Sequence, residues 1–130
     1  MATIRVTVTV ANTADGLTVS AIENPQIVEQ EDTVTWVFNS GLDDLQVVFK
    51  KVELPDNSGA LLINEKGPFS RPLSRSGNKI SGTIAQHAPR GLYLYDIRDG
   101  NDQRVQWLNP ISKTKNFGGL DIPKPPRGGG

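Results

Sequence analysis

The single histidine of the chain, His87, is the side chain best suited to exchange protons near neutral pH. As a catalytic base it would need a carboxylate to orient its imidazole and a nucleophile within hydrogen-bond reach. Three serines, Ser74, Ser76 and Ser81, are near it in the sequence. None of them stands in a nucleophile elbow or at a triad spacing. We therefore predict no catalytic residues, and a hydrolase that uses His87 with a carboxylate such as Asp96 remains an alternative.

Acidic side chains are concentrated between Asp96 and Asp102, where Asp99 and Asn101 also lie. Hard cations such as calcium take several oxygen ligands from one loop. The spacing does not match a calcium-binding EF-hand loop, and Arg98 lies among the acids and partly neutralises them. Because an Asp-Gly pair favours a tight turn, we predict a hairpin turn here and no metal site.

Two tyrosines, Tyr93 and Tyr95, are separated by one residue, so on a strand their side chains share one face. An exposed aromatic row of this kind could bind a sugar ring, a base or a partner chain. The same pair could instead pack in the core, and the sequence leaves both interpretations open. For Trp36 the expectation is core packing.

The segment 66–95 carries five Lys or Arg side chains and no Asp or Glu. This run predicts either solvated loops or a contact with an acidic partner. The candidate binding surface comprises Arg71, Arg75, Lys79, His87, Tyr93 and Tyr95. The whole chain has a formal net charge of zero, so we expect neither nucleic acid nor an anionic membrane as its partner.

The length of 130 residues is that of one domain. The chain has no cysteine, which excludes disulfides, thiolate metal ligands and cysteine nucleophiles. Its first residues alternate in polarity instead of forming a basic start and an apolar run, so they do not resemble a signal peptide. No stretch approaches the ~20 apolar residues of a membrane span. The expected location is the cytoplasm.

Hydrophobic residues recur with a period of two, which indicates strands. The expected strands are 4–10, 17–22, 33–38, 45–54, 61–63, 80–85, 91–98 and 104–108, with residues 66–79 irregular. A pair of lysines, Lys50 and Lys51, marks an edge or a bulge. About seven to nine short strands predict an all-β fold, a sandwich or a barrel.

The composition changes after Pro110, where Pro and Gly become frequent. We therefore predict one β-sandwich domain over 1–110 and an irregular, Pro/Gly-rich C-terminal tail over 111–130. The tail extends from the domain or lies over it, and Phe117, Leu120 and Ile122 are the residues that would attach its first half.

Two segments resemble a known family. The matching residues are Asp32-Thr33-Val34-Thr35-Trp36-Val37 with Asn39 and Leu45-Gln46-Val47-Val48-Phe49, and then Gly91-Leu92-Tyr93-Leu94-Tyr95-Asp96-Ile97. They are similar to the Gly-Asp-Thr-Val strand, the Asn-bearing loop and the His-x-Val-Val-Phe strand of plastocyanin-type cupredoxins, and to their Gly-x-Tyr-x-Tyr-x-Cys strand. The resemblance implies a Greek-key, cupredoxin-like β-sandwich.

The copper ligands of that family do not carry over to this chain. A blue-copper site needs two imidazoles and a thiolate, usually with an axial Met. By the resemblance, the first His position falls on Leu45, the Cys position on Ile97 and the second His position on Gly100, and the chain's only Met is Met1. We therefore expect no copper and no other cofactor.

These observations favour a non-catalytic binding or assembly module on a copper-less cupredoxin-like scaffold. Its partner is expected to be another protein, or a second copy of the chain through self-association. A structural subunit of a homo-oligomer and the His87 hydrolase are the alternatives.

Overall fold

The computed structural model describes residues 2–14, 16–40, 44–53, 60–62, 67–110 and 117–123. These residues contain no helix, and therefore none that is long and apolar enough to cross a membrane. They form eleven strands: β1 (Thr3–Thr13), β2 (Gly16–Ala21), β3 (Gln26–Ile27), β4 (Thr33–Phe38), β5 (Gln46–Glu53), β6 (Ala60–Leu62), β7 (Ser74–Ser76), β8 (Lys79–Thr83), β9 (Gly91–Arg98), β10 (Gln106–Trp107) and β11 (Gly118–Ile122).

The strands form two sheets that enclose one core. One sheet has six strands in the order β10-β2-β1-β4-β8-β7, and the other has five in the order β3-β11-β9-β5-β6. Strand β1 runs parallel to β4 and β11 runs parallel to β3, whereas β1 with β2, β4 with β8, and β9 with β5 and β11 are antiparallel. The chain passes from one sheet to the other several times, and this confirms the all-β sandwich.

Strand β4 shows how the alternating sequence builds the core. Val34, Trp36 and Phe38 are buried, and the residues between them face the other side of the sheet. The Trp36 ring meets the rings of Phe49 and Tyr95 edge to face, with centroids 6.2 and 5.4 Å apart. Such pairs add about 0.5–1.5 kcal/mol each beyond the burial of apolar area. The expectation that Trp36 is a core residue is confirmed.

The lysine pair in β5 marks a bulge. Phe49 pairs with Tyr95 and Lys51 pairs with Leu94, so Lys50 is the extra residue that shifts the register. Because β5 lies between β9 and β6, it is not an edge strand. Of the two structures predicted for this pair, the bulge is confirmed.

Part of the segment predicted to be irregular is a hairpin. Strand β7 pairs with β8 through a two-residue turn, in which Gly77 has a φ of 61°. A glycine adopts this left-handed conformation without steric cost. The three residues of β7 are all exposed, and pairing with β8 orders them without an apolar pattern of their own. Together with the two-residue β3, such short strands explain why eleven strands are found instead of seven to nine.

The sandwich extends past the predicted boundary at residue 110. Strand β11 lies between β3 and β9 in the five-stranded sheet and is hydrogen-bonded to both. Phe117, Leu120 and Ile122 are buried, as proposed for residues that would attach this stretch. The boundary at 110 is therefore wrong, because the low strand propensity of Gly118 and Gly119 is overridden by pairing on both sides. The predicted tail residues 111–116 and 124–130 lie outside the described residues.

Candidate binding face

The two candidate tyrosines are core residues and not an exposed row. Tyr93 is 2% exposed and Tyr95 is 1% exposed. Each hydroxyl has a partner inside the fold: Tyr93 donates to the carbonyl oxygen of Pro89 at 2.6 Å, and Tyr95 accepts from the indole N–H of Trp36 at 3.0 Å. The interpretation of these residues as a binding surface is wrong, because buried partners satisfy the hydroxyls that would otherwise favour water. Burial raises the pKa of Tyr93 to about 12 and raises the pKa of Tyr95 as well.

The structure does not bring His87 and Asp96 together as a catalytic pair. His87 is exposed in a turn before β9 and forms no hydrogen bond or ion pair with a described residue. Asp96 is 1% exposed and is paired with Arg104 at 2.9 Å and with Arg98 at 3.5 Å. Asp96 lies about 16 Å along β9 from Gly91, the first residue of the strand, whereas His87 lies before the strand begins. The buried Asp96 carboxylate thus forms an ion cluster with Arg98 and Arg104.

The acidic segment after β9 is a turn, as predicted. The Asp99 side chain accepts hydrogen bonds from the backbone N–H groups of Asn101 and Gln103 at 2.8 and 3.0 Å. These bonds use the carboxylate to close the loop. Among the described residues no group of three or more His, Cys, Asp or Glu side chains could hold a metal ion.

The positions that the family resemblance assigns to copper ligands do not fit copper. Leu45 and Ile97 are fully buried in the apolar core. Gly100 has no side chain, and a Cβ at this position would meet the carboxylate of Asp44. A blue-copper ion needs imidazole and thiolate donors, and these residues supply neither. These three positions therefore do not form a blue-copper site.

The basic candidates fall into two groups. Arg71 and Lys79 lie on the outer side of the six-stranded sheet, where each lines a depression that contains Ser74 and Ser81. Arg75 lies on the opposite side of β7, and its guanidinium donates to the carbonyl oxygen of Leu45 in the region between the sheets. The proposed surface of Arg71, Arg75 and Lys79 is therefore divided, and His87 belongs to neither depression.

Strand pairing adds a third cation to Arg71 and Lys79. Arg5 of β1 lies beside Thr35 of β4, which lies beside Ser81 of β8, so the three form one row across the sheet. A parallel row holds only threonines: Thr3, Thr33 and Thr83. We call this outer surface the hydroxyl-and-base face; its residues are Thr3, Arg5, Thr33, Thr35, Arg71, Ser74, Ser76, Lys79, Ser81 and Thr83. Sequence reasoning missed Arg5, although the alternation of β1 places it on the polar side.

Two adjoining depressions occupy this face. One, of about 380 Å³, is lined by Arg5 and Lys79 with hydroxyl side chains between them. The other, of about 500 Å³, is lined by Arg71 and by Thr33 and Thr83, whose hydroxyl oxygens are 3.2 Å apart. Among the described residues no acidic side chain lines either depression. The face therefore combines positive charge with hydrogen-bond donors.

The three cations of this face are not engaged elsewhere in the described part of the chain. Arg5, Arg71 and Lys79 are exposed, and none of them forms an ion pair or a hydrogen bond with a described residue. By contrast, Arg90 forms an ion pair with Glu29, and Arg98 forms ion pairs with Asp96 and Asp102. The cations of the face thus remain able to bind an anionic group from outside.

Comparison with known proteins gives this chain neither a family nor a function. No protein-family model matches the chain, and no curated protein matches it. Among solved structures, a pseudoazurin from Sinorhizobium meliloti is similar over 97% of this chain and 77% of its own, with 18% sequence identity and a TM-score of 0.45. Similarity at this level carries no argument about ligand, activity or partner. The two sheets, with β1 parallel to β4 and β11 parallel to β3, agree with the all-β sandwich that the sequence resemblance implies.

Proposed function

We propose that this chain is a non-catalytic binding module that holds an anionic protein partner against its hydroxyl-and-base face. The observation that carries the proposal is the depression between Arg5 and Lys79, where two cations without an ion-pair partner among the described residues flank a hydroxyl-lined floor, and where no described acidic side chain forms part of the lining. Hydrogen bonds from charged donors to carboxylates are among the strongest that a protein surface can form. Such a site favours carboxylate groups over cationic or purely apolar ones.

The spacing of the two cations suits an anionic group bound between them. Arg5 lies on β1 and Lys79 on β8, two strands away in the same sheet. Along the strands the two residues are offset by two positions, so their Cα atoms are about 12 Å from each other. Both side chains are long and flexible, so their charged ends can converge on one group. The hydroxyls of Thr35 and Ser81 lie between them and can donate to the same group.

The absence of a catalytic pair around His87 supports the non-catalytic part of the proposal. The carboxylate weighed for that role, Asp96, is already bound by Arg98 and Arg104. Removing both arginines would leave a buried charge without these partners, which is costly to the fold. Asp96 therefore has a structural task, and His87 has no orienting group among the described residues.

Binding of poly-L-glutamate to the full chain, measured by fluorescence anisotropy at low and physiological salt, tests the proposal. We expect Lys79→Glu to weaken binding about tenfold, because it replaces an attraction inside the depression with a repulsion. The matched control is Lys50→Glu on the other sheet, which makes the same change in net charge and is expected to alter binding by less than about twofold. Binding of the wild type is expected to weaken as salt is added.

Equal losses in the two variants would show that net charge and not this face determines binding, and would overturn the proposal. The same would follow if poly-L-glutamate did not bind at low salt. Light scattering on the same samples separates partner binding from self-association, the basis of the homo-oligomer alternative.

A further inference from the structure

A third depression adjoins the hydroxyl-and-base face and shares Arg5 with it. It has a volume of about 250 Å³, and its lining includes Arg5, Thr7, Ile22, Glu23 and Gln26. Ile22 is 86% exposed, more than any other large hydrophobic side chain that the structure describes. The buried residues Val6 and Ala21 also border this depression. Arg5 thus lies between the hydroxyl-lined floor and a depression whose exposed apolar side chain is Ile22.

The charges along this surface have an order. Lys79 and Arg5 flank the hydroxyl-lined floor, and Ile22 and then Glu23 follow on the far side of Arg5. A carboxylate is attracted between the two cations and repelled at Glu23. A ligand that covers the whole surface must therefore be acidic at one end and uncharged at the other. This order disfavours polymers of uniform negative charge and anionic membranes.

The side chains also point to the chemical class of the ligand. No aromatic side chain of the described residues lines any of the three depressions. Single-stranded nucleic acids are usually held by stacking bases on aromatic rings. The face offers hydroxyl donors and guanidinium and ammonium groups, and the adjoining depression offers the exposed aliphatic side chain of Ile22; together they match the acidic and aliphatic side chains of a peptide.

Strand geometry gives the spacing that the peptide must satisfy. The pairing of β1 with β2 ends at Val8 and Ala21, and Ile22 is the next residue; it lines the same depression as Thr7 and Arg5. Continued by one residue, the register puts Ile22 opposite Thr7, one strand away from Arg5 and offset by two residues. The Cα atoms of Ile22 and Arg5 are therefore about 8 Å apart. In an extended peptide, side chains two residues apart are separated by about 6.8 Å and project from the same face. An acidic residue and an aliphatic residue at that separation reach the two subsites together.

We infer that the occupant of this surface is an extended acidic segment of a partner protein, with a large aliphatic residue two positions from one of its carboxylates. The carboxylate lies between Arg5 and Lys79, and the aliphatic side chain lies against Ile22. This inference rests on the proposed function and adds the partner's sequence chemistry to it.

Three labelled peptides test the inference on the full chain at low salt. The first carries alternating aspartates with a leucine two residues after the last one, the second has serine in place of that leucine, and the third has lysines in place of the aspartates. The expected result is that the wild type binds the first peptide about fivefold more tightly than the second and does not bind the third. Ile22→Ser is expected to remove the difference between the first two. The matched control Ile27→Ser, which changes an isoleucine that is 60% exposed on the other sheet, is expected to keep it.

The outcomes separate this inference from the function on which it rests. If the first two peptides bind equally well to the wild type, or if Ile22→Ser leaves their difference intact, the aliphatic subsite is refuted and the anionic partner stands. If neither acidic peptide binds, both proposals fail. Tighter binding of a single-stranded oligonucleotide or an anionic vesicle than of the first peptide, lost in Lys79→Glu, would overturn the assignment of a peptide.

Discussion

Tyr95 shows how a single residue decides between a binding surface and a core. Its hydroxyl accepts the indole N–H of Trp36, and its ring lies against the rings of Trp36, Phe49 and Trp107 with centroids 5.3–5.8 Å apart. A tyrosine that satisfies its polar atom inside the fold loses little by leaving water. Alternation in β9 correctly placed Tyr93 on the same side as Tyr95. It could not show that Trp36 and the carbonyl group of Pro89 lie on that side as hydrogen-bond partners of the two hydroxyls. Both contacts depend on how the strands are arranged.

The two tyrosines are the only ones in the chain, so their ionisation can be followed without interference by absorbance. Burial raises the pKa of Tyr93 to about 12 and raises that of Tyr95, so we expect no tyrosinate signal near pH 10 while the protein is folded. In urea both tyrosines should titrate at about pH 10. Between these values the folded state holds more protons than the unfolded state, so the free energy of unfolding is expected to fall as the pH rises from about 10 to 12. A folded protein with one tyrosine titrating near pH 10 would contradict the burial.

At the scale of the element, β11 explains why the end of the sandwich was placed too early. Its sequence Gly118–Ile122 follows a Pro/Gly-rich stretch and resembles a flexible tail. A Cβ on Gly118 would come within 2.5 Å of ring atoms of both Tyr95 and Trp107. The glycine is therefore required by close packing, and that requirement is not visible in the composition. Strand β4 alternates strictly between buried and partly exposed residues, and it was predicted with its observed bounds because burial on one side fixed its pattern.

Replacing one buried side chain of β11 tests its contribution to the fold. Leu120 is fully buried, and Leu120→Ala is expected to lower the free energy of unfolding by ~2–5 kcal/mol through lost burial and a cavity. The measurement is urea unfolding followed by tryptophan fluorescence. The exposed Ser76→Ala serves as the control and is expected to change stability by no more than about 0.5 kcal/mol.

Truncation gives a second test of the same element. A chain that ends at Pro110 lacks β11, so both β9 and β3 lose their shared neighbour. We expect this chain to show no cooperative unfolding transition. A transition as steep as that of the full chain would mean that residues 111–130 are dispensable, and the boundary first predicted from composition would be restored.

At the scale of the whole molecule, the hydroxyl-and-base face is assembled from parts that the sequence keeps far apart. Arg5 and Lys79 are brought onto one surface by the parallel pairing of β1 with β4 and the antiparallel pairing of β4 with β8. Sequence reasoning identified Arg71 and Lys79 through their acid-free segment, and it missed Arg5. The register between strands that joins them is a tertiary property, so it could not be read from local patterns.

The zero net charge of the chain makes this local arrangement more informative. A protein without overall charge does not attract anions from a distance, so any preference for them must come from particular surfaces. The basic side chains Arg90, Arg98 and Arg104 are engaged in ion pairs, whereas the cations of the face form none with the part of the chain that the structure describes. The uneven use of charge, and not its total, supports an acidic partner.

The most direct test of the proposed binding face is to map the backbone amide chemical shifts of the isotope-labelled full chain during titration with poly-L-glutamate. The expected shifts cluster on β1, β4 and β8, around Arg5, Thr35 and Lys79, and disappear in Lys79→Glu but not in Lys50→Glu. Shifts centred on the five-stranded sheet, or no shifts at any concentration of the polymer at low salt, would contradict the hydroxyl-and-base face as the binding surface.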